Sequence, residues 1–296
     1  MNMLQRERKI KSGKLLEVDF YPIFDDGRKV PTRAPKNKRS TPEQEKYNQN
    51  QAIKKFVRLV NANFDGSDIF MTVTYNAGQA PQDEKTARRD IVNYLRRLKN
   101  KRASELRRLE KRLAENPDDK ELMERVRKLR EPLRYIYVIE KQVYKTGPKK
   151  GQVSFHFHIF VNGGIDRDTL EGMWHKGVRV EARRFMPERY GPEAAAKYLS
   201  KDPQGSKRFC YSRNLKQPQT MKPKDGRISP RGVEKLARER VDDKKYWEKR
   251  HPGYKFIRCF SRYNEYNGYW YVSVVMYKTD DDAEIPPWSL NDWMDE

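Results

Sequence analysis

Val153–Val161 reads VSFHFHIFV, and Tyr135–Gln142 ahead of it reads YIYVIEKQ. Both runs are short, apolar and rich in β-branched and aromatic residues. Between them KTGPKKG (145–151) supplies turn chemistry, so the pair reads as a β-hairpin. Side chains at i and i+2 of a strand share a face, which sends His156 and His158 to the same side. With the loop centred near Pro148, Glu140 falls opposite His156 and Val138 opposite His158. A carboxylate in an otherwise apolar strand is costly unless it is paired or holds a cation. Two imidazoles and a carboxylate form a facial donor set with open positions, suited to a divalent metal that also binds substrate oxygen. A one-residue slip would turn Glu140 to the other face. The competing reading is a pair of half-buried strand histidines bonded to their neighbours.

Outward from this hairpin the pattern alternates between helices and strands. Thr41-Pro42-Glu43-Gln44 carries helix-start chemistry, and Ile53, Phe56, Val57 and Val60 follow at helical spacing. IFMTVTY (Ile69–Tyr75) is a strand, and residues 85–131 form a charged helical hairpin broken at Asn116-Pro117-Asp118-Asp119. Residues 85–115 hold twelve Lys/Arg against four Asp/Glu, either a solvated face or a rail for a phosphate backbone. Val178–Ala182 is a short strand, PEAAAKYLSK (Pro192–Lys201) a compact helix, and 202–230 a basic loop. Another helix starts at Pro230, and Tyr254–Arg262 with Tyr269–Lys278 makes a second hairpin. The class is α+β, with a central antiparallel sheet of about five strands flanked by helices. Residues 41–278 read as one domain, 1–40 as a basic arm that includes a strand near Leu15–Tyr21, and 279–296 as an acidic tail.

The 296 residues carry a net charge of +22 with only 36% hydrophobic residues, which implies a polyanionic partner, nucleic acid before membrane. The tail alone is −7, leaving +29 on the rest. No apolar run approaches the roughly 18 residues of a membrane span, and MNMLQRERKIKSGKLL lacks a signal peptide's apolar stretch. Cys210 and Cys259 have no metal-binding spacing, so reduced thiols in a cytoplasmic protein are expected.

Metal chemistry on a basic protein suggests phosphodiester transfer, whose nucleophile is water or a tyrosine. Tyr198 and Lys201 stand at i and i+3 of the 192–201 helix and project together. Deprotonating a phenol at neutral pH costs roughly 4 kcal/mol, which a nearby ammonium and a metal both reduce.

In this order, the strand FMTVTY (Phe70–Tyr75), the triplet His156-Phe157-His158 and Tyr-x-x-Lys at Tyr198 and Lys201 resemble the rolling-circle replication initiators of plasmids and small single-stranded DNA phages. These belong to the His-hydrophobic-His endonuclease superfamily. LVNANF (Leu59–Phe64) and KRFCYSRNLKQP (Lys207–Pro218) look like that family too. The resemblance implies Mn²⁺ or Mg²⁺ on His156, His158 and Glu140, with attack by Tyr198 to leave a 5′-phosphotyrosine and a primer 3′-OH. Lys201 would position or activate the tyrosine or the phosphate. Thr74, Tyr75, Lys207, Arg208, Arg213 and Lys216 are the implied DNA contacts. Some phage relatives carry a second tyrosine at the position of Ala194; Tyr190 is the candidate substitute here. Single-stranded DNA with an origin hairpin is the implied partner, in a bacterial cytoplasm. No Walker-type motif is present, which implies a host helicase as well as a host polymerase.

Two alternatives stand beside this reading: a single-tyrosine transposase or mobilisation relaxase, and a non-catalytic nucleic-acid-binding protein. Phe256, Phe260, Tyr263, Tyr269 and Trp270 either stack bases or fill the core of the second sheet.

Overall fold

The structure is a computed structural model that describes residues 2–25, 41–76, 78–143, 146, 150–177, 180–186 and 209–278. Its α+β architecture comprises two compact units, residues 52–216 (the central unit) and residues 1–51 with 217–296 (the terminal unit).

In the central unit β3 (Ile69–Thr74), β4 (Tyr135–Val143), β5 (Val153–Val161), β6 (Val180–Arg184) and β7 (Cys210–Tyr211) form a five-stranded antiparallel sheet in the order β6-β3-β5-β4-β7. Alternation sorts its side chains. Met71, Val73, Tyr137, Ile139, Phe155, Phe157 and Ile159 bury on one face, against α2 (Glu84–Glu115) and α3 (Lys120–Arg130). Phe70, Ile136, Val138 and Phe160 bury on the other, under Phe56, Leu59 and Val60 of α1 (Pro42–Asn63). Aspartates cap the helical hairpin: Asp83 accepts from Thr86 N at 2.8 Å, and Asp119 from Leu122 N at 2.9 Å.

In the terminal unit β1 (Asn2–Ser12) and β2 (Leu15–Asp25) pair as a hairpin within a second antiparallel sheet. Its order is β10-β11-β2-β1-β8, with β9 also pairing β1; the partners are β8 (Gln219–Thr220), β9 (Lys224–Asp225), β10 (Lys255–Asn264) and β11 (Tyr269–Tyr277). After the short α4 (Arg167–Gly172) of the central unit, α5 (Pro230–Glu239) and α6 (Lys244–Arg250) cover one face of this second sheet, where Val233, Leu236 and Trp247 meet Val18, Phe20, Val272 and Val274.

Two boundaries differ from expectation. Residues 2–25 of the expected N-terminal arm are strands at the middle of a sheet. The charges of β1 had hidden this, because they are matched by neighbours: Arg8–Asp19 at 2.7 Å, Lys9–Glu7 at 3.1 Å and Arg6–Asp225 at 2.7 Å. Residues 41–278 are likewise not one unit: the second half of the basic loop leaves the central sheet and pairs with β1 as β8 and β9. Among the described residues no helix is long and apolar enough to cross a membrane.

Candidate functional site

The β4–β5 register pairs Glu140 with His156 and Val138 with His158, while β3 brings Thr74 opposite His156 and Thr72 opposite His158. Glu140, Gln142, His156, His158, Thr72 and Thr74 therefore occupy one sheet face, the one whose other end is sealed by α1. The face thus runs from an apolar half to a polar half.

Contacts in the polar half run diagonally. His158 Nε2 lies 2.8 Å from Glu140 Oε2, with the two side chains 9% and 18% exposed. His156 Nε2 lies 3.1 Å from Gln142 Oε1. The other ring nitrogen of His158, Nδ1, is 3.3 Å from Thr72 Oγ1, and the ring lies parallel to Phe70 at a 2° interplanar angle. A hydroxyl donates or accepts, so Thr72 holds the ring in either tautomer. With Nε2 protonated, His158 donates to Glu140 and accepts from Thr72. With Nε2 engaged by a cation, Nδ1–H donates to Thr72 instead.

Among the described residues no three His, Cys, Asp or Glu side chains gather as a metal-binding group. The gathered pair is His158 with Glu140, and His156 turns to Gln142 rather than completing the expected trio. The donor chemistry nonetheless fits a divalent ion. Two cis ligands about 2.1 Å from an octahedral cation stand roughly 3 Å apart, close to the Nε2–Oε2 separation here. Imidazole, carboxylate and amide oxygen together suit Mn²⁺. Gln142 went unnoticed in the sequence, although its position two residues beyond Glu140 on one strand was the available signal.

Backbone contacts fix the end of β3 beside this face. Trp174 Nε1 donates to Thr74 O at 2.8 Å, and Asn76 N to Lys176 O at 2.8 Å. A Cβ at Gly177 would stand 1.8 Å from Thr74 O, so only glycine permits this approach.

The expected DNA contacts separate. Thr74 shares the face with His156. Tyr75 faces away from it: the residue is only 9% exposed and its ring packs on Phe157 and Trp174, because alternation turns it to the helix side. Its hydroxyl donates to Asp90 Oδ2 at 3.1 Å; burial, then Asp90, pushes the phenol far above its ordinary pKa. Lys176 Nζ donates to the same carboxylate at 2.9 Å. Arg213 and Lys216 are exposed, and the Lys216 backbone is held by the side chain of Asn63. Tyr190, Tyr198, Lys201, Lys207 and Arg208 lie outside the described residues.

No protein-family model, curated protein or solved structure matches the chain.

Proposed function

We propose that the chain initiates rolling-circle DNA replication by nicking and rejoining single-stranded DNA at an origin, with Mn²⁺ or Mg²⁺ held by His156, His158 and Glu140. The observation that carries this reading is the Glu140–His158 contact of 2.8 Å on the face shared with His156. It is a carboxylate and an imidazole held at the spacing of two cis metal ligands on a strongly basic chain.

The ion, when bound, supplies Lewis-acid stabilisation of charge on the scissile phosphate. Thr72 holds the His158 ring from behind, and Gln142 offers a neutral oxygen beside His156. Tyr198 attacks phosphorus: its Oη–P bond forms, the P–O3′ bond breaks, and the phenolic proton leaves while the 3′ oxygen gains one. Lys201, three residues on in the sequence, favours the phenolate and neutralises the phosphate. Reversal of these steps rejoins the strand. The single tyrosine on the Tyr-x-x-Lys motif accounts for one covalent link at a time.

Incubation of the full chain with origin single-stranded DNA and Mn²⁺ is expected to give a covalent adduct. Tyr198→Phe and EDTA should abolish it, and Tyr190→Phe should leave it. An undiminished adduct from Tyr198→Phe refutes the nucleophile. A second reading, a non-catalytic nucleic-acid-binding protein, is favoured by one observation: both ring nitrogens of His158 already have protein partners. Full DNA binding without cleavage in any divalent metal would establish it.

A further inference from the structure

We infer that the Tyr21–Tyr271 end of the terminal-sheet face turned away from α5 and α6 is a stacking surface for single-stranded DNA. The inference rests on the proposed function only for the choice of DNA over RNA.

The register builds the surface. Arg262 pairs with Tyr271 on β11; the Val272–Phe20 pair sets Tyr21 beside Tyr271, and Arg6 pairs with Tyr21 on β1. One row across four strands therefore reads Arg-Tyr-Tyr-Arg. Phe260 stands in the next row, opposite Ser273, and diagonally from Tyr271. Strands lie about 4.8 Å apart and diagonal neighbours about 7–8 Å apart, a spacing that lets successive unstacked bases each meet a ring.

A register shift between Phe256 and Arg258, with regular alternation beyond it, divides the aromatic side chains of β10 and β11. Phe256 and Trp270 pack into the core beneath α5 and α6, whereas Phe260 points the other way and is 44% exposed. With Tyr271 and Tyr21 beside it, this ring extends an aromatic patch rather than standing singly.

Charge selects the occupant. Arg258 lies over the Phe260 ring at 4.9 Å and Arg8 over Tyr21 at 5.4 Å, each backing one side of an aromatic ring. Arg6 and Arg8 are matched by Asp225 and Asp19, while Arg262 is exposed and has no ion-pair partner among the described residues. Cations interleaved with aromatic rings suit a phosphate backbone with unpaired bases; a duplex hides its bases from such a surface.

The test is fluorescence anisotropy of labelled oligo-dT with the full chain in EDTA, where no nicking is read, so this inference and the nickase reading fail separately. Phe260→Ala and Arg262→Gln should each weaken oligo-dT binding, Phe260→Ala by about tenfold, with little effect on duplex DNA. Phe260→Trp should restore it, and circular dichroism melts should match wild type because both positions are exposed. Unchanged oligo-dT affinity overturns the inference, as does an equal loss on duplex. A loss confined to oligo-rU assigns RNA and overturns the DNA assignment. A change of oligomeric state in the variants, without loss of binding, assigns the face to a second copy of the chain and likewise overturns it.

Discussion

Replacing Arg102 with alanine should destabilise the central unit by about 3 kcal/mol, although the residue belongs to a helix that is charged nearly throughout. Arg102 is 4% exposed, and its guanidinium donates to four backbone carbonyls. Nη1 reaches Asn162 O at 3.3 Å and Gly163 O at 2.6 Å; Nη2 reaches Lys128 O at 2.9 Å and Glu131 O at 3.1 Å. One side chain thus ties α2 to the end of α3 and to the turn after β5. Four bonds from a charged donor, at about 1.5 kcal/mol each, amount to roughly 6 kcal/mol. The four bonds share one guanidinium, whose burial pulls its pKa down to about 10, so they do not add in full; the expected loss is about 3 kcal/mol, the low end for breaking a buried charged network. Arg102→Lys should recover about half, because a point ammonium can serve one carbonyl pair but not the forked geometry of both. Urea unfolding measures the total, and hydrogen exchange of the α3 amides shows where the structure loosens. A loss below about 1 kcal/mol, or α3 protection equal to wild type, would refute the reasoning.

Two further outcomes follow from the same geometry. Gly177→Ala drives a methyl into Thr74 O, so the 174–177 loop must withdraw; a loss of about 1–3 kcal/mol is expected, and an unchanged melting temperature would contradict it. His251 stacks on Trp247, and burial, then Lys9 and Arg250, lowers its pKa from 6.5 to about 4. Between those values the unfolded chain takes up a proton that the folded chain refuses, so stability is fully present above pH 6.5 and falls by roughly 3 kcal/mol towards pH 4. His251→Gln should remove that component from urea midpoints measured across the window; an identical pH profile for the variant would be contrary evidence.

Much of the central unit is legible from local pattern. The β4–β5 register follows from the two apolar runs and the turn-forming residues of KTGPKKG between them, and it sets Glu140 opposite His156. The helical hairpin follows from leucine spacing and the Asn116–Asp119 break. The β1 strand was less legible because charge occupies both of its faces: Glu7, only 6% exposed, and Lys9 on one, Arg6 and Arg8 on the other. Polarity signals exposure only while no partner is at hand, and the partners of β1 include Asp19, Asp225 and Arg250. Phe260 and Trp270 look alike in composition, and only the sheet register assigns one to the open face and one to the core.

By itself the sequence determined the α+β class, the strand that turns two histidines to one side, and the carboxylate that shares their face. Those properties depend on periods of two and 3.6 residues, which are local. Tertiary structure alone decided that Gln142 Oε1 meets His156, that Tyr75 is core, and that Arg102 is a buried clamp rather than one more surface charge. Each of these depends on which distant group comes within about 3 Å, and no local period carries that information.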